Sequence, residues 1–300
     1  MIRNIAVKGG GIRGVAYVGA LEILEKHGHL EGVRRCAGTS AGAMLACMLA
    51  LEFDASQIRE LMLSMDFKQF KSGWNPFRIF RKYGLYSGDY ILSFIQAFLK
   101  SSKYQFPENV TFNEMRAAGC RDLYVFACNV NAQIAKEFSA DATPHASVAE
   151  AVRASMSIPL FFKAFQFSNG IPDKHFYVDG GTVFNYPLSF FDSERFNKST
   201  NNEVNPESLG LYLFSPSSRP HRELEANRPI YFVRQLFESL LDAQDIMVNE
   251  DADMLNRSIC IDDLHYPATD FDLSKSDIER LIASGTNCTN LYLKKTNHIQ

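Results

Sequence analysis

The chain has 300 residues, 46% hydrophobic and 22% charged, the balance of a folded globular protein with enough sequence for a large core. Its 31 basic and 34 acidic residues leave a formal charge of −3, which gives no basis for nucleic acid as a substrate. The six cysteines (36, 47, 120, 128, 260 and 288) show no Cys-x-x-Cys spacing and sit mostly in apolar stretches, which predicts reduced, buried thiols rather than a disulfide or zinc framework.

The opening "MIRNIAVKGGGIRG" has no apolar core of the length a secretory signal needs. The longest nearly unbroken apolar run, Ala41 to Leu51, is far shorter than the roughly 18–20 residues of a membrane span. A soluble cytoplasmic or peripheral membrane protein is the expectation. A signal read by a specialised secretion system would leave no such trace.

Ile5 to Val7 reads as a short strand, followed by a loop at Gly9, Gly10 and Gly11. A helix is predicted from about Val15, with Tyr17, Leu21 and Leu24 on one stripe and Gly28 as its C-cap. Val33 to Ala37 reads as a second strand, and Met44, Leu45, Met48 and Leu49 belong to a helix buried nearly all round. Strand, loop, helix, strand, turn, helix is a βαβα unit, which implies a parallel sheet. Farther on, Asp54 with Gln57, Thr111 with Glu114 and Ser147 with Glu150 have the spacing of capping boxes. Strands are predicted at 123–128, 134–138, 176–178, 209–214 and 258–261, helices at 228–256 and 274–294, and a surface loop at 197–208. No repeat or linker is evident, so residues 1–300 are expected to form one α/β domain.

The turn "GTSAG" (Gly38, Thr39, Ser40, Ala41, Gly42) fits Gly-x-Ser-x-Gly, in which small flanking residues let a strand turn sharply into a helix with the serine at the apex. "GGGIRG" at 9–14 fits G-x-G-x-x-G, so a dinucleotide site competes. That site wants an acid at the end of the second strand, and here the strand ends in Gly38-Thr39-Ser40. Bare amides at a helix start also suit an anion. Beside Ser40 they would form an oxyanion hole, with Gly10 and Gly11 as the best donors and Arg13 orienting the loop. For a proton acceptor, His221 and His265 follow acids in the order of a Ser-Asp-His triad. No histidine, however, has a local setting that suggests catalysis. Asp179 in "YVDGG" (177–181) is the better candidate: it ends an apolar strand, and Gly180 and Gly181 allow close backbone approach.

GGGIRG, GTSAG and DGG in this order resemble the patatin-like phospholipase family, with support from "GLYSGD" at 84–89, "ASMSIPLFF" at 154–162, "NYPL" at 185–188 and "RSICID" at 257–262. The resemblance implies a three-layer α/β sandwich with a mostly parallel central sheet flanked by helices. It places a catalytic core at about 4–195 and a C-terminal extension at about 205–295. It implies a Ser-Asp dyad in which Ser40 is nucleophile and Asp179 general base, with an oxyanion hole drawn from Gly9, Gly10, Gly11, Arg13 and Gly14. It implies no cofactor and no metal. The expected activity is hydrolysis of carboxylic esters of phospholipids or lysophospholipids. A neutral-lipid esterase and a dormant, partner-activated interaction protein of the same fold are the alternatives, and the resemblance leaves room for a protein or small-molecule activator.

Between Asp66 and Tyr86, aromatics (Phe67, Phe70, Trp74, Phe77, Phe80, Tyr83) alternate with cations (Lys68, Lys71, Arg78, Arg81, Lys82). This composition suits a lipid headgroup interface, and equally a set of rings packed inward under solvated cations, or a lid over Ser40. Met156, Phe161 and Phe162 are expected in the core or an acyl pocket, and Ser155 and Ser157 in hydrogen-bonding roles.

Overall fold

The computed structural model describes residues 1–171, 173–198, 203–216 and 229–296. The chain opens with β1 (Asn4–Val7), a 3-10 turn at Gly11–Val15, α1 (Ala16–Lys26), β2 (Arg35–Thr39) and α2 (Ala41–Ala50). The second strand thus starts and ends two residues later than its apolar run suggests. Gly28 follows the His27 C-cap with φ +72°, as a helix stop requires. Next come α3 (Ala55–Ser64), α4 (Ile79–Lys82), β3 (Gly84–Tyr86), α5 (Asp89–Ser101) and α6 (Phe112–Ala117). Asp54 and Thr111 close full capping boxes on α3 and α6.

The middle of the chain supplies β4 (Asp122–Asn129), β5 (Ile134–Phe138), α7 (Val148–Ser155), β6 (Leu160–Phe162) and β7 (Tyr177–Asp179). Ser147 caps α7 by accepting the Glu150 amide. The last part adds β8 (Ser208–Phe214), α8 (Pro229–Glu250), α9 (Ala252–Asn256), β9 (Ser258–Asp262) and α10 (Lys275–Lys295). The expected surface loop at 197–208 is corrected in part: Asn205 and Ser208 are buried. Asn205 donates to the carbonyls of Phe191 and Phe196, and Ser208 begins a sheet strand.

The central sheet runs β5-β4-β2-β1-β8-β9, with β7 also paired to β4. β1, β2, β4, β8 and β9 are mutually parallel, while β5 and β7 lie antiparallel to β4. Side chains alternate across the sheet as a pleated strand dictates. Ile5, Val7, Cys36, Leu123, Val125, Leu209 and Leu211 join the larger core under the helices. Ala6, Ala37, Tyr124, Phe126 and Tyr212 face a second, aromatic-rich cluster with Tyr186, Leu188, Phe191 and Val248. The sheet is therefore covered on both faces, as a parallel sheet must be. A separate two-stranded ribbon pairs β3 with β6, and neither strand is among those predicted from the sequence. No helix among the described residues is long and apolar enough to cross a membrane.

Candidate active site

The register on β4 brings the two distant motifs together. β2 runs parallel to β4 and ends with Thr39 opposite Phe126. β7 arrives antiparallel and ends with Asp179 opposite Ala127, the next residue along. β5 occupies one edge of β4 from Val125 to Asn129, so β7 must share the other edge with β2. The two strands meet end to end, and Ser40 follows directly where Asp179 stops. Ser40 Oγ donates to Asp179 Oδ2 at 2.6 Å across 139 residues of sequence.

Ser40 sits at φ 56°, ψ −129°, a backbone conformation rare for any residue but glycine, and it caps α2. Gly38 and Gly42 make this turn possible by close approach. A Cβ on Gly38 would lie 2.2 Å from Gly42 O, and one on Gly42 would lie 2.3 Å from Val7 O. Thr39 ties the elbow to the 184–185 segment through Phe184 O, at 2.9 Å. The Ser40 amide donates to Ser155 Oγ at 2.8 Å, and Ser155 donates onward to Phe126 O. Ala41 is the first residue of α2 and lines the cavity described below.

Asp179 is fully buried. Burial pushes its carboxyl up to about 7, opposed by the Ser40 hydroxyl, the Gly181 amide and the charge of Arg153. The Gly181 amide donates to Oδ1 at 2.8 Å. Gly180 passes so near β4 that a Cβ would stand 2.3 Å from Phe126 O. No histidine among the described residues hydrogen-bonds either Ser40 or Asp179; His221 lies outside the described residues, and the His265 amide instead donates to Asp263.

The glycine loop leaves the end of β1 and lies against the elbow, where a Cβ on Gly9 would stand 3.1 Å from Ser40 Cβ. One expectation is corrected here. The Gly9 amide donates to Asn185 O at 3.0 Å and is not available to a substrate. Gly14 serves packing, 3.1 Å from Ala41 Cβ if it carried a Cβ. Gly10 and Gly11, at the start of the 3-10 turn, make no amide bond to described residues outside that turn. Arg13 Nε donates to Gly10 O at 3.1 Å.

Several contributors were not singled out by sequence. Arg153, 1% exposed, donates to Ser157 Oγ, Gly88 O and Ser87 O and stacks over Phe162 at 5.1 Å. Its signal was an arginine inside the apolar run before "ASMS". Gln244 of α8 bridges both sides of the site, donating to Gly181 O at 2.7 Å and accepting from the Asn185 amide at 2.9 Å. Nothing local in the sequence marks it.

An apolar cavity opens beside Ser40, lined by Gly11, Met44, Met62, Phe70, Met156 and Phe162 among others. The 66–86 segment divides its aromatics between two jobs. Phe67 and Phe70 wall this cavity, Phe70 packed on Tyr90, Phe162 and Phe271. Trp74, Phe77, Phe80 and Tyr83 face outward, Phe77 and Phe80 with 77% and 80% of their surface exposed. Arg81 and Lys82 are exposed beside them, whereas Lys71 pairs with Asp272 and Arg78 caps the Gly73 and Leu85 carbonyls.

The family model for patatin-like phospholipases matches residues 5–192, well over half of the chain and inclusive of all three motifs. The chain belongs to the patatin-like phospholipase family. Membership supports lipid hydrolysis at the level of the family. Two relatives are both described as uncharacterized. YqhO of Bacillus subtilis (strain 168) is 28% identical over 305 residues, covering 96% of each chain. R571 of Acanthamoeba polyphaga mimivirus is 29% identical over 196 residues, 64% of this chain and 62% of that relative. Among solved structures, VipD from Legionella pneumophila matches 98% of this chain and 67% of its own length, with a TM-score of 0.65 and 15% identity. ExoU in its heterodimeric complex with SpcU from Pseudomonas aeruginosa matches 98% of this chain and 51% of its own, with a TM-score of 0.52 and 17% identity. At such identities the likeness is one of fold. This patatin-like chain thus shares the core architecture of proteins that are themselves longer.

Proposed function

We propose that this protein is a serine acyl hydrolase that cleaves carboxylic esters of phospholipids or lysophospholipids with Ser40 and Asp179 alone. The 2.6 Å hydrogen bond between Ser40 Oγ and a fully buried Asp179 carries this reading. A carboxyl near 7 is matched to the proton it must accept at neutral pH, which the ordinary aspartate, near ~3.9, is not. As Ser40 Oγ attacks the ester carbonyl, its proton passes to Asp179 Oδ2, and the oxyanion is met by the Gly10 and Gly11 amides. The departing alcohol takes the proton from Asp179. Water then attacks the acyl-serine by the same route, giving its proton to Asp179 and releasing the fatty acid as the serine is re-protonated. The methionine- and phenylalanine-lined cavity suits a fatty acyl chain.

The membrane is the proposed meeting place, with 74–83 as the contact. Exposed aromatics flanked by Arg81 and Lys82 match an anionic headgroup layer, where rings sink partway and cations stay at the phosphates. A second reading, a dyad held closed until a partner opens it, draws on Ser40 being only 6% exposed behind Phe67 and Phe70. Labelling with a fluorophosphonate probe, together with fatty-acid release from phosphatidylcholine, lysophosphatidylcholine and triacylglycerol, tests both. Ser40-dependent labelling and release from a phospholipid is the expected result. Release from triacylglycerol alone would make the protein a neutral-lipid esterase. Labelling that appears only with vesicles or a protein activator would favour the closed form, and labelling that persists in Ser40→Ala would refute the mechanism.

A further inference from the structure

The family match ends at residue 192, yet much of what fixes the glycine loop comes from beyond it. Arg13, which holds Gly10 O through Nε, donates from Nη1 to Asp263 Oδ2 at 2.7 Å. Glu238 of α8 stands 3.9 Å from its Nη2. The Ile12 amide donates to Ala268 O at 3.0 Å, and the Ala268 amide donates to Glu238 Oε1 at 3.1 Å. Asp263 is 1% exposed and is itself held by the Ser215 hydroxyl and the His265 amide. The two residues that follow it, Leu264 and His265, have φ of 56° and 59°. Two consecutive left-handed residues, neither of them glycine, persist only where their surroundings over-determine them.

One feature of the peptide unit gives this brace a chemical consequence. Gly10 C=O and Gly11 N–H belong to a single planar trans unit and point in opposite directions. Holding Gly10 O toward Arg13 therefore turns the Gly11 N–H the other way, and Gly11 lines the cavity it shares with Ser40. Gly11 has φ +56°, and a Cβ there would overlap Ala268 O at 1.9 Å, so the loop from Asp263 to Ala268 presses on the same unit from behind.

We propose that Asp263, assisted by Glu238, is a positioning residue for ester hydrolysis: it holds Arg13 so that the Gly10–Gly11 peptide presents its N–H to the oxyanion formed at Ser40. The proposal rests on the hydrolase reading above. It assigns to the C-terminal part of the chain a part in the reaction, through a second-hand contact rather than through substrate.

The test is steady-state hydrolysis of a soluble short-chain p-nitrophenyl ester, with melting temperatures measured on the same samples. Asp263→Asn is expected to lower kcat about 10- to 100-fold, short of the ~10²–10³ for outright loss of an oxyanion donor, with KM changed no more than about 2-fold. Arg13→Ala should lose at least as much, with Arg13→Lys recovering part of it. The double variant should be no worse than Arg13→Ala, because both changes release the same peptide. Arg257→Gln is the control. It breaks the bidentate pair with Asp192 (2.7 and 2.9 Å) at the opposite end of β9, and it should lower the melting temperature while leaving kcat unchanged. If Asp263→Asn does not fold, Glu238→Gln carries the same test with a smaller expected loss of kcat. A kcat within 2-fold of wild type in the folded Asp263 or Glu238 variant, losses that multiply in the double variant, or an equal loss in Arg257→Gln would overturn the positioning role. Wild-type turnover that survives Ser40→Ala would instead remove the hydrolase reading, and the positioning role with it.

Discussion

Asp179 and Asp263 are both buried carboxylates where sheet strands end, and the chain treats them differently. Asp263 has a guanidinium at 2.7 Å, a serine hydroxyl and a backbone amide as partners. Asp179 has a serine hydroxyl at 2.6 Å and one backbone amide, and the cation that acts on it, Arg153, spends its hydrogen bonds on neutral oxygens. The carboxylate that braces the loop is paired directly with a guanidinium. One that must accept and return a proton is buried with partial compensation, so that neither form is strongly favoured near neutral pH.

The sharpest break of this comparison is Asp179→Asn. The amide keeps an acceptor for the Gly181 N–H but cannot accept the Ser40 proton, so hydrolysis should fall at least about 10³-fold, as in Ser40→Ala. Its stability should move the other way. Because the folded pKa of Asp179 lies above the unfolded value near ~3.9, its contribution is full below that value and is lost as pH rises through about 7. At pH 8 the buried charge then costs on the order of 4 kcal/mol relative to the neutral acid. Asp179→Asn should therefore melt no lower than wild type at pH 8; a large drop in melting temperature would contradict the assignment of cost to burial. Asp263→Asn should instead be less stable than wild type at pH 8, by about 1.5–3 kcal/mol, since Arg13 loses its 2.7 Å carboxylate partner and keeps Glu238 at 3.9 Å.

A finer probe is the pH profile. On a soluble ester, kcat/KM should rise with pH as Asp179 ionises, with a midpoint about 7. Arg153→Met keeps much of the side chain's bulk and removes its charge. It should move the midpoint to higher pH, at a cost in stability from the freed Gly88 and Ser87 carbonyls. A midpoint unchanged in that variant would separate Arg153 from the dyad. The smallest effect, and one that should leave both carboxylates untouched, is expected from Phe77→Ala with Phe80→Ala. Binding to phosphatidylserine-containing vesicles should weaken about tenfold, consistent with losing two part-inserted rings, with soluble-ester turnover unchanged. Equal binding by wild type and variant would move the membrane contact elsewhere.

The sequence carried the local features because each is decided within a few residues. The elbow is legible since only glycine fits at 38 and 42, α1 since Tyr17, Leu21 and Leu24 recur at helical spacing, and α3 since Asp54 and Gln57 cap it reciprocally. The strand at 209–214 is legible from its apolar composition. The ribbon of β3 and β6 is not, because it exists only as a pairing of segments 76 residues apart, Gly84 with Leu160 and Tyr86 with Phe162. Nor can the sequence show that the Gly9 amide is occupied, because its acceptor, Asn185 O, lies 176 residues away.

Sequence alone therefore determined which residues could turn sharply, which could stand bare of side chains, and which acid ended a strand beside two glycines. The tertiary structure decided which of these meet. β2 and β7 abut on one edge of β4 because register and edge occupancy leave them a single line, and that line is what sets Ser40 against Asp179. The same holds for the brace on Arg13. Asp263 stands 250 residues away and reaches the glycine loop only because β8 and β9 extend the sheet beyond β1. Burial, charge compensation and pKa belong to that assembled neighbourhood, since they depend on what surrounds a group in space rather than on what precedes it in the chain.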